Sequence, residues 1–146
     1  MTSFHYISPT ELSELMKSGK KPMKDYAIID VRDDDFIGGN IVGCIQAPSL
    51  KFLETVDNLV SKTKDVPIII FHCTLSQLRG PKAATIYDET RTNMSEPGGS
   101  LPPQEIHVLQ GGFAGFQDLF KGDPLLVEQW RKEVWEDCIN DVLEED

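Results

Sequence analysis

The sequence predicts an α/β domain built on a mainly parallel sheet, and three observations carry that prediction. Strand-like apolar runs alternate with amphipathic stretches along most of the 146 residues. The two strongest runs, YAIIDV at 26–31 and PIIIFH at 67–72, are continuous rather than alternating, as in strands covered on both faces. Helices between such strands act as crossovers, which makes the strands parallel. At this length, with 40% apolar residues, the chain supplies one core and leaves little room for a second.

Residues 4–7 form a short edge strand. Ser8, Pro9, Thr10 and Glu11 read as a capping box with proline at the first helical position, opening a helix that runs to about Lys17 and stops at Gly19. Residues 26–31 are the second strand. A turn-rich stretch through Gly38, Gly39 and Asn40 leads to a third near 44–47. Leu50, Leu53, Val56 and Val60 then mark one helix face. After the strand at 67–72, Gly80 and Pro81 suit a first helical turn, followed by Ala83, Ala84, Ile86 and Tyr87 at helical spacing. TNMSEPGGSLPP, 92–103, has five Gly or Pro in twelve residues and reads as a loop, and EIHVL, 105–109, as the last strand. Leu126, Trp130, Val134, Cys138 and Val142, each four apart, predict a C-terminal amphipathic helix. The expected organisation is a catalytic domain over 1–125, with a helix and acidic tail over 126–146 packed on the same domain.

Charge narrows the partners. The net charge is −10, of which residues 128–146 carry −6. Nucleic acid is an improbable partner, because phosphate-backbone binding draws on lysine and arginine; the tail reads as a solvated, frayed end. No run of about 18 apolar residues spans a membrane, and the N-terminus has no basic region followed by an apolar one, so the expected location is the cytosol, or cytosol and nucleus. Three widely spaced cysteines, Cys44, Cys73 and Cys138, argue against a disulfide framework and against a zinc site.

The chemistry concentrates in HCTLSQLRGP, 72–81, where a strand runs through a loop into a helix. Ligands of parallel α/β sheets gather at such carboxyl ends. Five residues between Cys73 and Arg79 allow the backbone to curl with N–H groups inward, an anion nest at a helix N-terminus. The same field favours a thiolate at Cys73 over the ordinary thiol of pKa about 8.5, and Arg79 adds a fork for two oxygens of a tetrahedral anion. His72, next along the strand, points the other way and orients rather than reacts. Gly38-Gly39 and Gly111-Gly112 read as turns, and Asp30 with Arg32 as a structural ion pair. Cys138 packs on the helix stripe; Cys44 is strand core, or a resolving thiol if the fold brings it to Cys73. His5 and His107 have no evident partner.

Through IIDVRDDDFIGGNIVGCIQAPS, FHCTLSQLRGPKAA and HVLQGGFAGFQ, the chain resembles single-domain rhodanese-fold proteins related to the M-phase inducer phosphatases and to fungal and plant arsenate reductases. The resemblance covers about residues 5–120. It implies a rhodanese-like fold, Cys73 as nucleophile, Arg79 as oxyanion ligand, and Thr74, Leu75, Ser76, Gln77 and Leu78 as backbone cradle, with Asp30 and Arg32 bracing the loop and His72 behind it. Family sulfurtransferases have a shorter loop, so its length speaks against thiosulfate. The chain departs from the pattern at Asn40, where histidine is frequent, at Phe116, where tryptophan is, and at Val31, where the cell-cycle phosphatases carry a protective cysteine. TLSQL holds no acid, so a general acid comes from Asp33, Asp34 or Asp35, or the substrate supplies the proton.

The expected function is a cysteine phosphatase acting on phosphomonoesters through a Cys73 thiophosphate. The alternative is an arsenate reductase using Cys73 and Arg79 with glutathione as reductant and glutaredoxin as partner. A thiosulfate sulfurtransferase and a non-catalytic binder of phosphorylated anions rank below. No metal or cofactor is implied, and oligomeric state is not readable from the residues.

Overall fold

The computed structural model describes residues 4–95 and 101–137. In chain order the elements are β1 (His5–Ile7), α1 (Pro9–Lys17), β2 (Ala27–Asp30), β3 (Asn40–Ile41), β4 (Ile45–Gln46), a 3-10 turn (Ser49–Lys51), α2 (Phe52–Thr63), β5 (Ile68–His72), α3 (Arg79–Met94), β6 (Glu105–Leu109), α4 (Gly112–Phe120), β7 (Val127–Glu128) and α5 (Lys132–Asp137). The main sheet has the order β1-β6-β5-β2-β4 and every pairing in it is parallel. This is the architecture expected from the alternating runs. α1 opens as the capping box requires: the Glu11 N–H donates to Ser8 Oγ at 3.1 Å and the Ser8 N–H to Glu11 Oε1 at 3.0 Å.

Strand alternation sorts the core into two layers. Ala27, Ile29, Ile69, Phe71 and Val108 face α2 and α3, meeting Phe52, Val56, Val60, Ala83, Ala84 and Tyr87. Ile28, Ile70 and Leu109 face the other side, against Leu12 of α1 and Phe113 and Phe116 of α4. Both faces of β2 and β5 are buried, which is why these strands read as unbroken apolar runs. Cys73 belongs to the first layer and His72, one residue earlier, to the other, stacked on Phe113 with ring centroids 6.3 Å apart.

Four expectations need correction. The buried face of α2 is Phe52, Val56, Leu59, Val60 and Thr63, so Leu50 and Leu53 lie off it, 84% and 76% exposed; the helix starts two residues after Leu50, which sits in the 3-10 turn. α3 runs on through Met94, into the first residues of the stretch read as a loop. The stripe beginning at Leu126 is not one helix. Gln129 takes a left-handed φ of 57°, and Val127 and Glu128 instead pair antiparallel with Ile41 and Asn40, while the helix starts only at Lys132. Leu126, Trp130 and Val134 reach the second core layer from turn, loop and helix in succession, so equal spacing did not mean one backbone conformation. Fourth, the helix α4 goes unread in a sequence that puts two glycines at its start. Cys138, Val142 and the acidic end of the tail lie outside the described residues. Among those described, no helix is long and apolar enough to cross a membrane.

Candidate active site

Cys73 stands at the carboxyl end of β5, between β6 and β2 in the middle of the sheet, and is fully buried. Backbone donors point at its sulfur, among them the N–H of Ser76 at 3.2 Å and that of Gly80 at 3.4 Å. Gly80 is the second residue of α3, and an N–H in a first helical turn has no partner within the helix, so it is available to the sulfur. Ser76 makes the turn possible with a left-handed φ of 59°, and its Oγ accepts from the Cys73 N–H at 3.4 Å. The sulfur therefore sits at the positive end of α3, where negative charge is favoured.

The opposite side of the loop is held by α4. The Phe113 N–H donates to the Cys73 carbonyl and the Ala114 N–H to that of Thr74, each at 2.9 Å. Such an approach leaves no room for a side chain at Gly112: with φ at 60°, a Cβ there would stand 2.3 Å from the Thr74 oxygen. In a trans peptide the N–H points opposite to the C=O. Holding the carbonyls of Cys73 and Thr74 on α4 thus turns the next two N–H groups away from it. His72 Nδ1 lies 3.1 Å from the same Cys73 carbonyl and Nε2 lies 3.6 Å from Asp30 Oδ2. Burial lowers the His72 pKa below its ordinary value against the raising effect of Asp30, and the neutral ring keeps its proton on Nδ1 to meet the carbonyl.

Asp30 and Arg32 form a wholly buried ion pair, Arg32 Nη2 to Oδ2 at 2.8 Å and Nε to both oxygens at 3.1 Å. The guanidinium lies between the rings of Phe36 and Phe113, 4.7 and 4.4 Å from their centroids, and donates to the carbonyls of Asp35, Ile37 and Gly39. Its hydrogen bonds shape residues 33–39 rather than the cysteine loop. The bracing expected of this pair reaches the cysteine loop one step later, through Asp35.

Asp35 is the junction. It takes Arg79 Nη1 on Oδ1 at 2.8 Å and Nη2 on Oδ2 at 2.6 Å, and Thr74 Oγ1 donates to Oδ2 at 2.5 Å. Burial by itself would raise the Asp35 pKa, but the hydrogen bonds from Arg79 and Thr74 and the guanidinium charge outweigh it and hold the carboxyl well below the usual range. A carboxylate so held cannot donate a proton at neutral pH. Asp33 accepts from Ser49 Oγ at 2.5 Å and the Leu50 N–H at 3.0 Å, and lies 3.4 Å from Arg79 Nη1; Asp34 is exposed.

The sequence points to DDDF without distinguishing its three carboxylates; only the turn set by Arg32 selects Asp35. Gly112 is also missed as a site residue, although GGF stands among the family-like stretches. Cys44, half-buried beside the α4 layer, receives the Asn40 amide at 3.6 Å, and burial followed by the Asp30 charge pushes its thiol up to about 12. The fold places it with the core layer opposite to the one Cys73 joins. His5 and His107 face each other across β1 and β6, away from the site.

Three relatives share this arrangement's sequence or fold. The dual specificity phosphatase ibp1 of Schizosaccharomyces pombe is 36% identical over 140 residues, covering 88% of this chain and 99% of its own. Arsenate reductase 2.1 of Oryza sativa is 31% identical over 124 residues, covering 84% and 72%. The crystal structure of Saccharomyces cerevisiae Ygr203w, described as a homolog of single-domain rhodanese and the Cdc25 phosphatase catalytic domain, superposes with a TM-score of 0.76 at 28% identity, over 93% of this chain and 94% of that one. The profile of the Rhodanese-like domain matches residues 8–119, a span running from the cap of α1 to the end of α4 and enclosing the cysteine loop, and the chain belongs to that family.

Proposed function

We propose that the protein is a cysteine-dependent phosphatase acting on phosphomonoesters, with Cys73 as nucleophile. The observation that supports it is the pair of N–H groups from Ser76 and Gly80 on the Cys73 sulfur, at the start of the helix whose first residue is Arg79. Those donors favour thiolate over thiol. In the first step the thiolate forms a bond to phosphorus as the P–O bond to the organic group breaks, and the leaving oxygen carries the electron pair. In the second, water attacks phosphorus, the S–P bond breaks, and inorganic phosphate leaves with Cys73 restored. Arg79 and the N–H groups of residues 74–78 offset the charge on the equatorial oxygens. With Asp35 held ionised and no acid within TLSQL, the reading favours leaving groups that depart without a proton, aryl oxides before alkoxides.

The relatives named arsenate reductases support a second reading on the same residues. There the Cys73 sulfur bonds to arsenic as an As–O bond breaks and that oxygen leaves as water; an outside thiol such as glutathione then attacks the Cys73 sulfur, the S–As bond breaks with its electron pair passing to arsenic, and glutaredoxin reduces the mixed disulfide. An outside thiol fits the position of Cys44, held un-ionised beside the other core layer. Neither reading calls for a metal or an organic cofactor.

The deciding experiment assays the purified protein and its Cys73→Ser variant with an aryl phosphate, with arsenate plus glutathione and glutaredoxin, and with thiosulfate plus cyanide. The expected result is turnover of the aryl phosphate that vanishes in Cys73→Ser while phosphate still binds. Turnover in the folded variant at the parent rate would overturn the assignment of the nucleophile.

A further inference from the structure

Hydrolysis of a Cys73 thiophosphate calls for a group that takes a proton from the attacking water, and the three carboxylates after Arg32 differ in whether they can. An ionised carboxylate offers about four lone-pair sites. At Asp35 four donors fill them: Arg79 Nη1 at 2.8 Å and the Asp33 N–H at 3.0 Å on Oδ1, Arg79 Nη2 at 2.6 Å and Thr74 Oγ1 at 2.5 Å on Oδ2. With its side chain 4% exposed, Asp35 leaves no acceptor for a water. Asp34 is exposed to solvent. Asp33 stands between these extremes. Among the described residues three donors hold its side chain: Ser49 Oγ at 2.5 Å and Arg79 Nη1 at 3.4 Å on Oδ2, and the Leu50 N–H at 3.0 Å on Oδ1. A site on Oδ1 stays open. The carboxylate is 15% exposed and lines a depression of about 310 Å³ with Pro48, Leu50 and Lys51, through which water reaches it.

We infer that Asp33 is the base of the second step, taking a proton from the water that attacks the thiophosphate. The inference rests on the phosphatase reading and deepens it. The water oxygen bonds to phosphorus, the S–P bond breaks with its electron pair returning to the Cys73 sulfur, and the proton passes to Asp33 and on to bulk solvent. Arg79 brings the reactants together, because the guanidinium that holds the phosphoryl oxygens lies 3.4 Å from Asp33 Oδ2. The direction of attack also fits. Cys73 is fully buried under the loop while Asp33 opens to solvent, so a water on Asp33 approaches from the face away from the sulfur, as displacement in line with the S–P bond requires. Ser49 and the Leu50 N–H, from the 3-10 turn, fix the carboxylate with one donor on each oxygen.

The test resolves the two steps. Asp33→Asn keeps the shape of the side chain and removes the base. In rapid mixing with p-nitrophenyl phosphate, the first equivalent of nitrophenolate is expected at a rate within about threefold of the parent, while breakdown of phosphocysteine slows about a hundredfold, the low end of what a positioned base supplies. Phosphocysteine therefore accumulates at Cys73 in the variant, as read by mass spectrometry of quenched samples, and phosphate protects Cys73 from iodoacetamide as well as in the parent. Ser49→Ala keeps the carboxylate and removes its tether; it is expected to slow the same step about tenfold, and it carries the test if Asp33→Asn does not fold. Turnover at the parent rate in folded Asp33→Asn, without accumulated phosphocysteine, would overturn the assignment and leave the phosphatase reading standing. A first step slowed as much as the second would make Asp33 a holder of Arg79 and overturn it likewise. No turnover in the parent would sink the phosphatase reading and the base with it.

Discussion

Asp35 and Arg79, 44 residues apart in the chain, meet in a two-point ion pair of 2.8 and 2.6 Å that ties the turn after β2 to the start of α3. The pair sets the side-chain conformation of Arg79 before any anion arrives, and an arginine already oriented loses less freedom on binding. Asp35→Asn keeps the shape and removes the charge. We expect kcat/KM on an aryl phosphate to fall by roughly tenfold to a hundredfold, the scale of losing a positioning contact. An increase in activity would show that Asp35 competes with substrate for Arg79.

The same pair predicts a pH dependence of stability. Above the ordinary carboxylate pKa of about 3.9 the folded and unfolded states are both ionised and the pair contributes fully. As pH falls from there towards the depressed folded value, the unfolded chain takes up a proton that the folded protein does not, and stability is lost. Urea titrations across the acid range are expected to show a steeper loss in the parent than in Asp35→Asn, which starts less stable at neutral pH.

Gly112→Ala tests the docking of α4 on the cysteine loop. A methyl group 2.3 Å from the Thr74 oxygen, at a left-handed φ, must push helix and loop apart. The expected cost is roughly 2–3 kcal/mol in unfolding free energy, with loss of turnover. Gly80→Ala is the contrast, because its nearest contacts, at 3.5 Å, are ordinary.

Arg32→Met probes the buried cation. Removing it leaves Asp30 unpaired among apolar side chains and frees three carbonyls of the turn that carries Asp35. A loss of about 3–5 kcal/mol is expected. The double variant Asp30→Asn/Arg32→Met is expected to recover part of it, and no recovery would count against charge burial as the cause.

Thiol reactivity distinguishes the two described cysteines. With its thiol pushed up to about 12, Cys44 stays un-ionised at neutral pH and iodoacetamide should label Cys73 first, as read by peptide mass spectrometry. Cys44→Ser is expected to leave turnover at the parent level. Its loss would restore Cys44 as a second thiol of the reaction.

What the sequence determined by itself is local or nearly so. The cap at Ser8, the doubly buried strands at 27–30 and 68–72, and the strand-loop-helix around Cys73 and Arg79 each follow from neighbouring residues: a side chain that reaches its own backbone, an apolar run with no polar face, a loop whose N–H groups can converge on one sulfur. His72 could be turned from the pocket because alternation along a strand needs no partner. The tertiary structure decided what depends on distant approach. Asp33, Asp34 and Asp35 are alike in sequence, and only the hydrogen bonds of Arg32 to residues 35–39 bring Asp35 to the guanidinium. The role of Gly112 exists because α4 comes within bonding distance of a loop nearly 40 residues earlier. Leu50 and Leu53 read as a buried face because periodicity shows that a stripe exists and not where the helix begins; a start at Phe52 turned them to solvent. The stripe from Leu126 failed for a related reason: burial against the second core layer selects side chains and not backbone conformation, and pairing with β3 drew Val127 and Glu128 into a strand.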